Sequence, residues 1–210
     1  MAELSTVPGW PVPSTAFISG CLNRLHDNGY REVVTGALGR AERRSFIAAG
    51  FEVREELILL THDLEALPPL IPDARVRRAR RRDRDSVLSV DASAFRPFWQ
   101  LDAGALQDAL SATPSIRFRV CGDPIVGYAV TGRAGRRGFL QRLAVAPAAQ
   151  RQHTGRALAL DGLHWLKRRR VGRTFVNTQV GNDPALALYE ALGFRREVNG
   201  LAVLGRRLES

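Results

Sequence analysis

The sequence predicts a mixed α/β fold: a mixed central sheet flanked by helices, with a small α/β half-domain ahead of it. Three observations carry that expectation. Three β-like runs at 116–121, 125–132 and 138–145 follow one another, separated by Gly/Asp/Pro and Gly/Arg turns. After Pro147 the apolar spacing becomes helical, with Ala159, Leu163 and Leu166 at i, i+4 and i+7, and the run closes on the cations Lys167 to Arg170. A strand at 174–180, a short helix at 184–192 stopped by Gly193, and a terminal pair of strands complete the chain.

The elements upstream follow from local chemistry. Residues 75–79 read as a short strand, and Asp83 is placed to cap a helix that runs to about Ala94 through Val87, Leu88 and Val90. Pro97 breaks that helix, and Asp102 caps a second one that ends near Ala112. The order over 74–210 is therefore β-αα-βββ-α-β-α-β. Pro68, Pro69 and Pro72 favour an extended connector, which places a boundary between 1–72 and 73–210. An internal repeat at an offset of 143 pairs Gly29, Val33, Thr35, Ala48, Gly50 and Phe51 with Gly172, Val176, Thr178, Ala191, Gly193 and Phe194. It makes 14–65 a second copy of the last third of the main domain.

The chain has 210 residues with 45% apolar and 25% charged side chains, an ordinary globular composition. No apolar run approaches the roughly 18–20 residues needed to span a bilayer. The first residues lack a basic stretch followed by an apolar core, so the reading is cytoplasmic and not membrane-bound. Cys21 and Cys121 are too few for a disulfide framework or a zinc site and read as buried reduced thiols. No metal is expected. The formal charge of +10 is unevenly spread: 1–73 carry six arginines and ten acids, and 74–210 carry the remaining 25 cations and 11 acids. A basic body fits an anionic partner, but charge alone does not choose among a polyphosphate cofactor, a membrane surface and nucleic acid. Seven arginines between Arg75 and Arg84 form the strongest nucleic-acid candidate, against the plainer reading of a solvated strand edge.

Two segments carry chemistry. In the first, Leu143, Ala144 and Val145 end a strand, and Gln150, Arg151, Gln152, His153, Thr154, Gly155 and Arg156 lead into the amphipathic helix. Unpaired N–H groups and the positive dipole end at a helix start bind phosphate, and a glycine permits close approach. An ordinary strand–helix turn is the alternative. In the second, Asn182 stands at a helix start, followed by Ala185, Leu188, Tyr189, Gly193 and Phe194. Asn182 either caps or reaches a ligand, and the Tyr189 hydroxyl is either a buried core group or a proton donor.

Together these segments resemble the GNAT superfamily of acetyl-CoA-dependent N-acetyltransferases. The phosphate pattern Gln/Arg-x-x-Gly-x-Gly/Ala, preceded by Leu-x-Val-x-Pro, is met by Leu143, Val145, Pro147, Gln150 and Gly155. The pattern Asn-x-x-Ala-x-x-Leu-Tyr-x-x-x-Gly-Phe is met by Asn182, Ala185, Leu188, Tyr189, Gly193 and Phe194. The resemblance covers about 74–210 and implies the GNAT fold with acetyl-CoA as co-substrate. It implies pantetheine along Leu143–Val145 as an added strand, pyrophosphate on backbone N–H groups across Arg151–Arg156, and Tyr189 as the acid for the leaving thiolate. Asn182 would orient the cofactor or a water.

Two positions depart from the family. His153 replaces the first glycine of the phosphate pattern, so a backbone needing φ > 0 is strained there. The strand position where relatives often carry a glutamate aligns with Asn177, which is no base, and leaves Asn177, Gln141 or Tyr128 to assist through water. On the acceptor side, Ala94, Phe95 and Trp99 resemble a region of ribosomal-protein alanine N-acetyltransferases, with Phe98 and Trp99 lining the acceptor. A peptide N-terminus or small amine is then the acceptor, nucleic acid is disfavoured as partner, and a homodimer is compatible. In the N-terminal copy Phe46 stands where Tyr189 does and no phosphate loop precedes it, so 14–65 reads as a degenerate half GNAT unit. A non-catalytic acetyl-CoA sensor and an RNA- or ribosome-associated basic module are the competing functions.

Overall fold

The computed structural model describes residues 1–6, 11–70 and 75–208. In chain order the elements are β1 (Ala2–Leu4), α1 (Thr15–Asp27), β2 (Glu32–Thr35), α2 (Arg40–Ala48), β3 (Glu52–His62), β4 (Val76–Arg78), α3 (Arg84–Ala94) and α4 (Ala103–Ser111). They continue with β5 (Ser115–Cys121), β6 (Gly127–Ala134), β7 (Arg137–Val145), α5 (Thr154–Arg168), β8 (Arg173–Gln179), α6 (Asp183–Ala191), β9 (Arg195–Arg196) and β10 (Leu201–Arg207). From β4 onward this is the expected order. The terminal strands do not pair with each other; both lie against β3. The boundary placed at Pro72 lies outside the described residues.

The chain forms two compact units, divided within β3, β8, α6 and β9. The first comprises Met1–Leu59, Asn177–Ala185 and Arg196–Ser210. Its strands follow the order β1-β2-β10-β3, with β1 and β2 parallel and β10 antiparallel to both neighbours. Ser14 caps α1 by accepting from the Phe17 N–H at 3.2 Å, and Glu42 folds back on the Gly39 N–H at 2.8 Å to start α2. Ile18, Leu22, Val33, Leu38, Phe46, Phe51 and Leu204 form its core. Cys21 is half-buried rather than buried, Cys121 is buried, and neither forms a disulfide.

The second unit comprises Leu60–Val176 and Leu186–Arg195. Strands β4, β5, β6 and β7 are successively antiparallel, and β7 pairs with β8 in parallel. Strand β6 is buried on both faces. Tyr128 and Val130 pack with Val87, Val90 and Leu106 of α3 and α4, whereas Ala129 packs with Leu158 of α5. The Asp102 carboxylate accepts from the Ala105 N–H at 2.7 Å and caps α4 as expected. Asp83 does not cap α3. Its carboxylate takes the Arg77 guanidinium at 2.7 and 2.9 Å and the Arg80 N–H at 2.6 Å, and Arg77 holds its pKa down to about 2. A bidentate cation outcompetes the single N–H that a cap would offer.

A second carboxylate organises the α3 face. Asp91 is fully buried and accepts from Arg142 Nε and Nη2, both at 2.8 Å, from the Leu101 N–H at 2.7 Å, and from the Tyr128 hydroxyl. Arg142 Nη2 also reaches the Trp99 carbonyl at 2.5 Å, and its guanidinium lies 3.7 Å above the Phe95 ring. One ion pair thus joins α3, β6, β7 and the 95–101 segment. Replacing Asp91 with Ala strands the buried Arg142 charge and is expected to destabilise the protein by about 3–5 kcal/mol. Urea unfolding checks this: a loss below about 1 kcal/mol, the worth of an exposed pair, would show that the network holds nothing together.

Candidate active site

The site begins where a ladder ends. Strands β7 and β8 pair at only three positions, Arg137 with Arg173, Gly138 with Thr174 and Phe139 with Phe175, whose rings stack at 5.8 Å. A register shift between Val130 and Thr131 of β6 leaves Gln141 as an extra residue on β7. Beyond it, Leu143, Ala144 and Val145 pair with β6 on one side and, among the described residues, have no β8 partner on the other.

Residues 146–153 carry the chain from this strand end into α5. The Gln150 and Gln152 side chains donate to the carbonyls of Val145 and Ala148, each at 3.1 Å, and brace the loop. Arg151 and His153 have φ of 62° and 61°. His153 therefore sits in the left-handed region, where the family pattern has glycine and where strain is expected. The α5 ladder begins with the Ala157 N–H on the His153 carbonyl at 2.9 Å, so the N–H groups of Thr154, Gly155 and Arg156 have no intrahelical acceptor. Thr154 is buried, and its hydroxyl has no hydrogen-bond partner among the described residues. A Cβ on Gly155 would meet only ordinary contacts, Leu188 at 3.4 Å and Val145 at 3.6 Å, so packing does not demand the glycine. Exposed Arg151 and half-buried Arg156 have no acidic partner among the described residues.

Tyr189 lies in the same unit, buried on α6, with its ring tilted against Phe194 at 5.6 Å. Burial pushes its pKa up to about 12, with the Arg142 charge pulling the other way. Its hydroxyl has no hydrogen-bond partner among the described residues. Asn182 and Asn177 belong to the other unit. Asn182 caps α6, its Oδ1 accepting from the Ala185 N–H at 3.4 Å and its Nδ2 donating to Gln179 Oε1 at 3.3 Å, while Asn177 is exposed on β8.

The acceptor-side candidates divide. Tyr128 is no candidate: it is fully buried, burial and its bond to Asp91 raise its pKa far above the usual phenol range, and its hydroxyl faces the core. Trp99 and Gln141 keep buried polar atoms, Nε1 and Oε1, with no partner among the described residues. Phe98 packs edge-on against Trp99 at 5.2 Å. Sequence reasoning missed Asp91, although an acid on the stripe Val87, Val90 and Ala94 is a visible anomaly, and it missed His62, for which no local pattern speaks.

Residues 85–194 match the model of the Acetyltransferase (GNAT) family. The chain belongs to the GNAT family. Mycothiol acetyltransferases from Acidothermus cellulolyticus and Amycolatopsis mediterranei are each 31% identical to it, over 70% and 74% of this chain. The chain spans only 53% and 59% of their lengths. Among solved structures, a putative GNAT acetyltransferase from Novosphingobium aromaticivorans aligns with a TM-score of 0.66 at 16% identity, over 92% of this chain and 82% of its own. A tandem GNAT protein from the clavulanic acid biosynthesis pathway aligns at 0.64 and 12%, over 93% and 70%. The GNAT family uses acetyl-CoA as co-substrate. No described helix is long and apolar enough to cross a membrane.

The loop and the buried imidazole each make a measurable difference to stability. Replacing His153 with Gly removes the left-handed strain and is expected to add about 1 kcal/mol, raising the melting temperature by about 2–4 °C; scanning calorimetry that finds a lower melting point contradicts it. His62 is buried beside Asp63, Arg195 and Lys167, and burial lowers its pKa below the ordinary 6.5. The unfolded chain therefore binds a proton first, and stability is lost as pH falls from 6.5 through the folded-state value. Urea midpoints across about pH 5–7 should show that loss, and His62→Gln should flatten it.

Proposed function

We propose that the chain is an acetyl-CoA-dependent N-acetyltransferase that acetylates a primary amine by direct attack in a ternary complex. The observation that supports this best is the Tyr189 hydroxyl: carried by a buried residue, protonated at neutral pH and free of any protein partner among the described residues. Acetyl-CoA supplies an activated acetyl thioester. The open backbone of Leu143–Val145 would hold the pantetheine arm as an added strand, and the N–H groups of Thr154, Gly155 and Arg156, with Arg151, would hold the pyrophosphate. The Thr154 hydroxyl, otherwise a buried polar group without a bond, fits the same anion.

The residues then divide the proton work. The acceptor enters with a neutral nitrogen, positioned by Trp99 Nε1 and Gln141 Oε1 with Phe98 as an apolar wall. As the C–N bond forms and the C–S bond breaks, Tyr189 gives its hydroxyl proton to the departing sulfur, which keeps the bond's electron pair. The nitrogen sheds its extra proton to water, and water returns one to Tyr189. The relatives' name puts a mycothiol-type acceptor beside peptide N-termini and small amines as candidates. Residues 14–65 are read as a degenerate half GNAT unit, because Phe46 lies fully in the core where Tyr189 has its hydroxyl.

Left-handed His153 and the missing glutamate at Asn177 favour a second reading, an acetyl-CoA sensor without turnover. Thiol release with a panel of peptides, polyamines, amino sugars and amino acids separates the two. Tyr189→Phe is expected to lower kcat at least about a hundredfold while acetyl-CoA affinity by calorimetry stays within about twofold. Wild-type turnover in that variant would remove Tyr189 as the acid.

A further inference from the structure

The two copies at offset 143 end their helices in the same way. Helix α2 runs from Arg40 to Ala48 and α6 from Asp183 to Ala191, the same interval shifted by the repeat. Both close with a left-handed glycine, Gly50 at φ +82° and Gly193 at φ +95°. Both then return an N–H to the aromatic position, Phe51 to the Phe46 carbonyl at 3.1 Å and Phe194 to the Tyr189 carbonyl at 3.0 Å. The carbonyl just before each glycine is capped by a side chain from the long strand of the other copy. Arg206 of β10 donates to the Ala49 carbonyl, and His62 of β3 bonds the Leu192 carbonyl at 3.0 Å.

The tautomer of His62 is set by its neighbours. Its Nδ1 accepts the Leu64 N–H at 2.7 Å, so the hydrogen resides on Nε2, which donates to Leu192. A Cβ on Gly193 would lie 3.0 Å from this nitrogen, so the glycine makes the approach possible. The His62 ring stands edge-on to Phe194 at 5.2 Å, and Phe194 in turn meets Tyr189. A buried imidazole thereby fixes the C-terminal turn of the helix whose tyrosine carries the hydroxyl.

We propose that His62, contributed by the N-terminal copy, is a positioning residue that holds Tyr189 in register for proton donation. The proposal rests on Tyr189 being the acid. It gives the copy that lost its own hydroxyl a defined part in the reaction, through the strand it supplies to the helix of the other.

Two substitutions isolate the bond. Gln places its amide nitrogen near the Nε2 position and retains donation to Leu192, whereas Asn retains only the shorter reach of Nδ1. Using full-length protein, acetyl-CoA and the amine giving the highest turnover, His62→Asn is expected to lower kcat about tenfold with acetyl-CoA affinity unchanged, and His62→Gln to stay within about twofold of wild type. In the Tyr189→Phe background His62→Asn should cost nothing more, since both act through one hydroxyl. Without acetyl-CoA, hydrogen exchange at the Leu192, Gly193 and Phe194 amides should speed up in His62→Asn and remain slow in His62→Gln. Full kcat in His62→Asn, losses that multiply in the double variant, or unchanged exchange would each overturn the proposal. Wild-type turnover in Tyr189→Phe would instead overturn the reading on which it rests.

Discussion

Two parallel strands that share a ladder satisfy each other's backbone groups along their length, and β7 and β8 do so for only three pairs. The constraint is local. The stacked rings of Phe139 and Phe175 hold the last pair, and the extra residue at Gln141 then turns β7 out of register. From Leu143 to Val145 the strand continues with its backbone satisfied on one side only. A protein that merely needed a stable sheet would continue the ladder, because each unpaired buried amide costs free energy. Leaving it open is useful where another chain of amide groups is to be bound. The start of α5 lies at the same end of β7, so an open strand edge and an unpaired helix start are offered together.

That geometry survives because β7 is fixed from both faces. On one, Leu158 and Gly162 bring α5 against β6 and β7. On the other, Arg142 is clamped by Asp91, whose remaining lone pairs are taken by Tyr128 and the Leu101 amide. Burying an ion pair is weak evidence for net stability, since desolvation offsets much of the attraction. Its direction is what matters: the fork geometry of Arg142 ties the Trp99 carbonyl to the strand that carries the site. Part of the basic charge is likewise paired, Arg77 with Asp83 and both Arg117 and Arg119 with Asp161. The positive charge left at Arg151 and Arg156 flanks the helix start.

The sequence was most legible where structure is decided locally. The helix of Asp102, the stop at Gly193 and the period-2 runs of β5 to β7 each depend on a few neighbouring residues, and they formed as expected. Legibility failed where a distant partner decides. Asp83 has every local reason to cap α3, but a strand residue six positions earlier claims its carboxylate. Tyr128 reads as a polar group in a strand near the acceptor, and only the carboxylate on α3 turns it inward. His153 lay between these cases: the type was visibly wrong for a left-handed turn, and the turn formed regardless, because the loop on either side is pinned.

The repeat sharpens the distinction between what a local sequence builds and what it does. Gly50 and Gly193, Phe51 and Phe194 give the same helix stop and the same returning amide. The two matching segments differ at the ring they enclose, where Phe46 fills a core and Tyr189 adds one oxygen. That oxygen makes no hydrogen bond to the described residues. A phenylalanine there would pack as well and satisfy every contact now made by the ring. The same reasoning applies to the capping side chains: Arg206 is a permanent cation, adequate for closing a helix, whereas His62 is a neutral donor beside an aromatic chain that ends at Tyr189. A fixed cation in its place would add charge next to that chain, and its field would favour the ionised tyrosine over the protonated one.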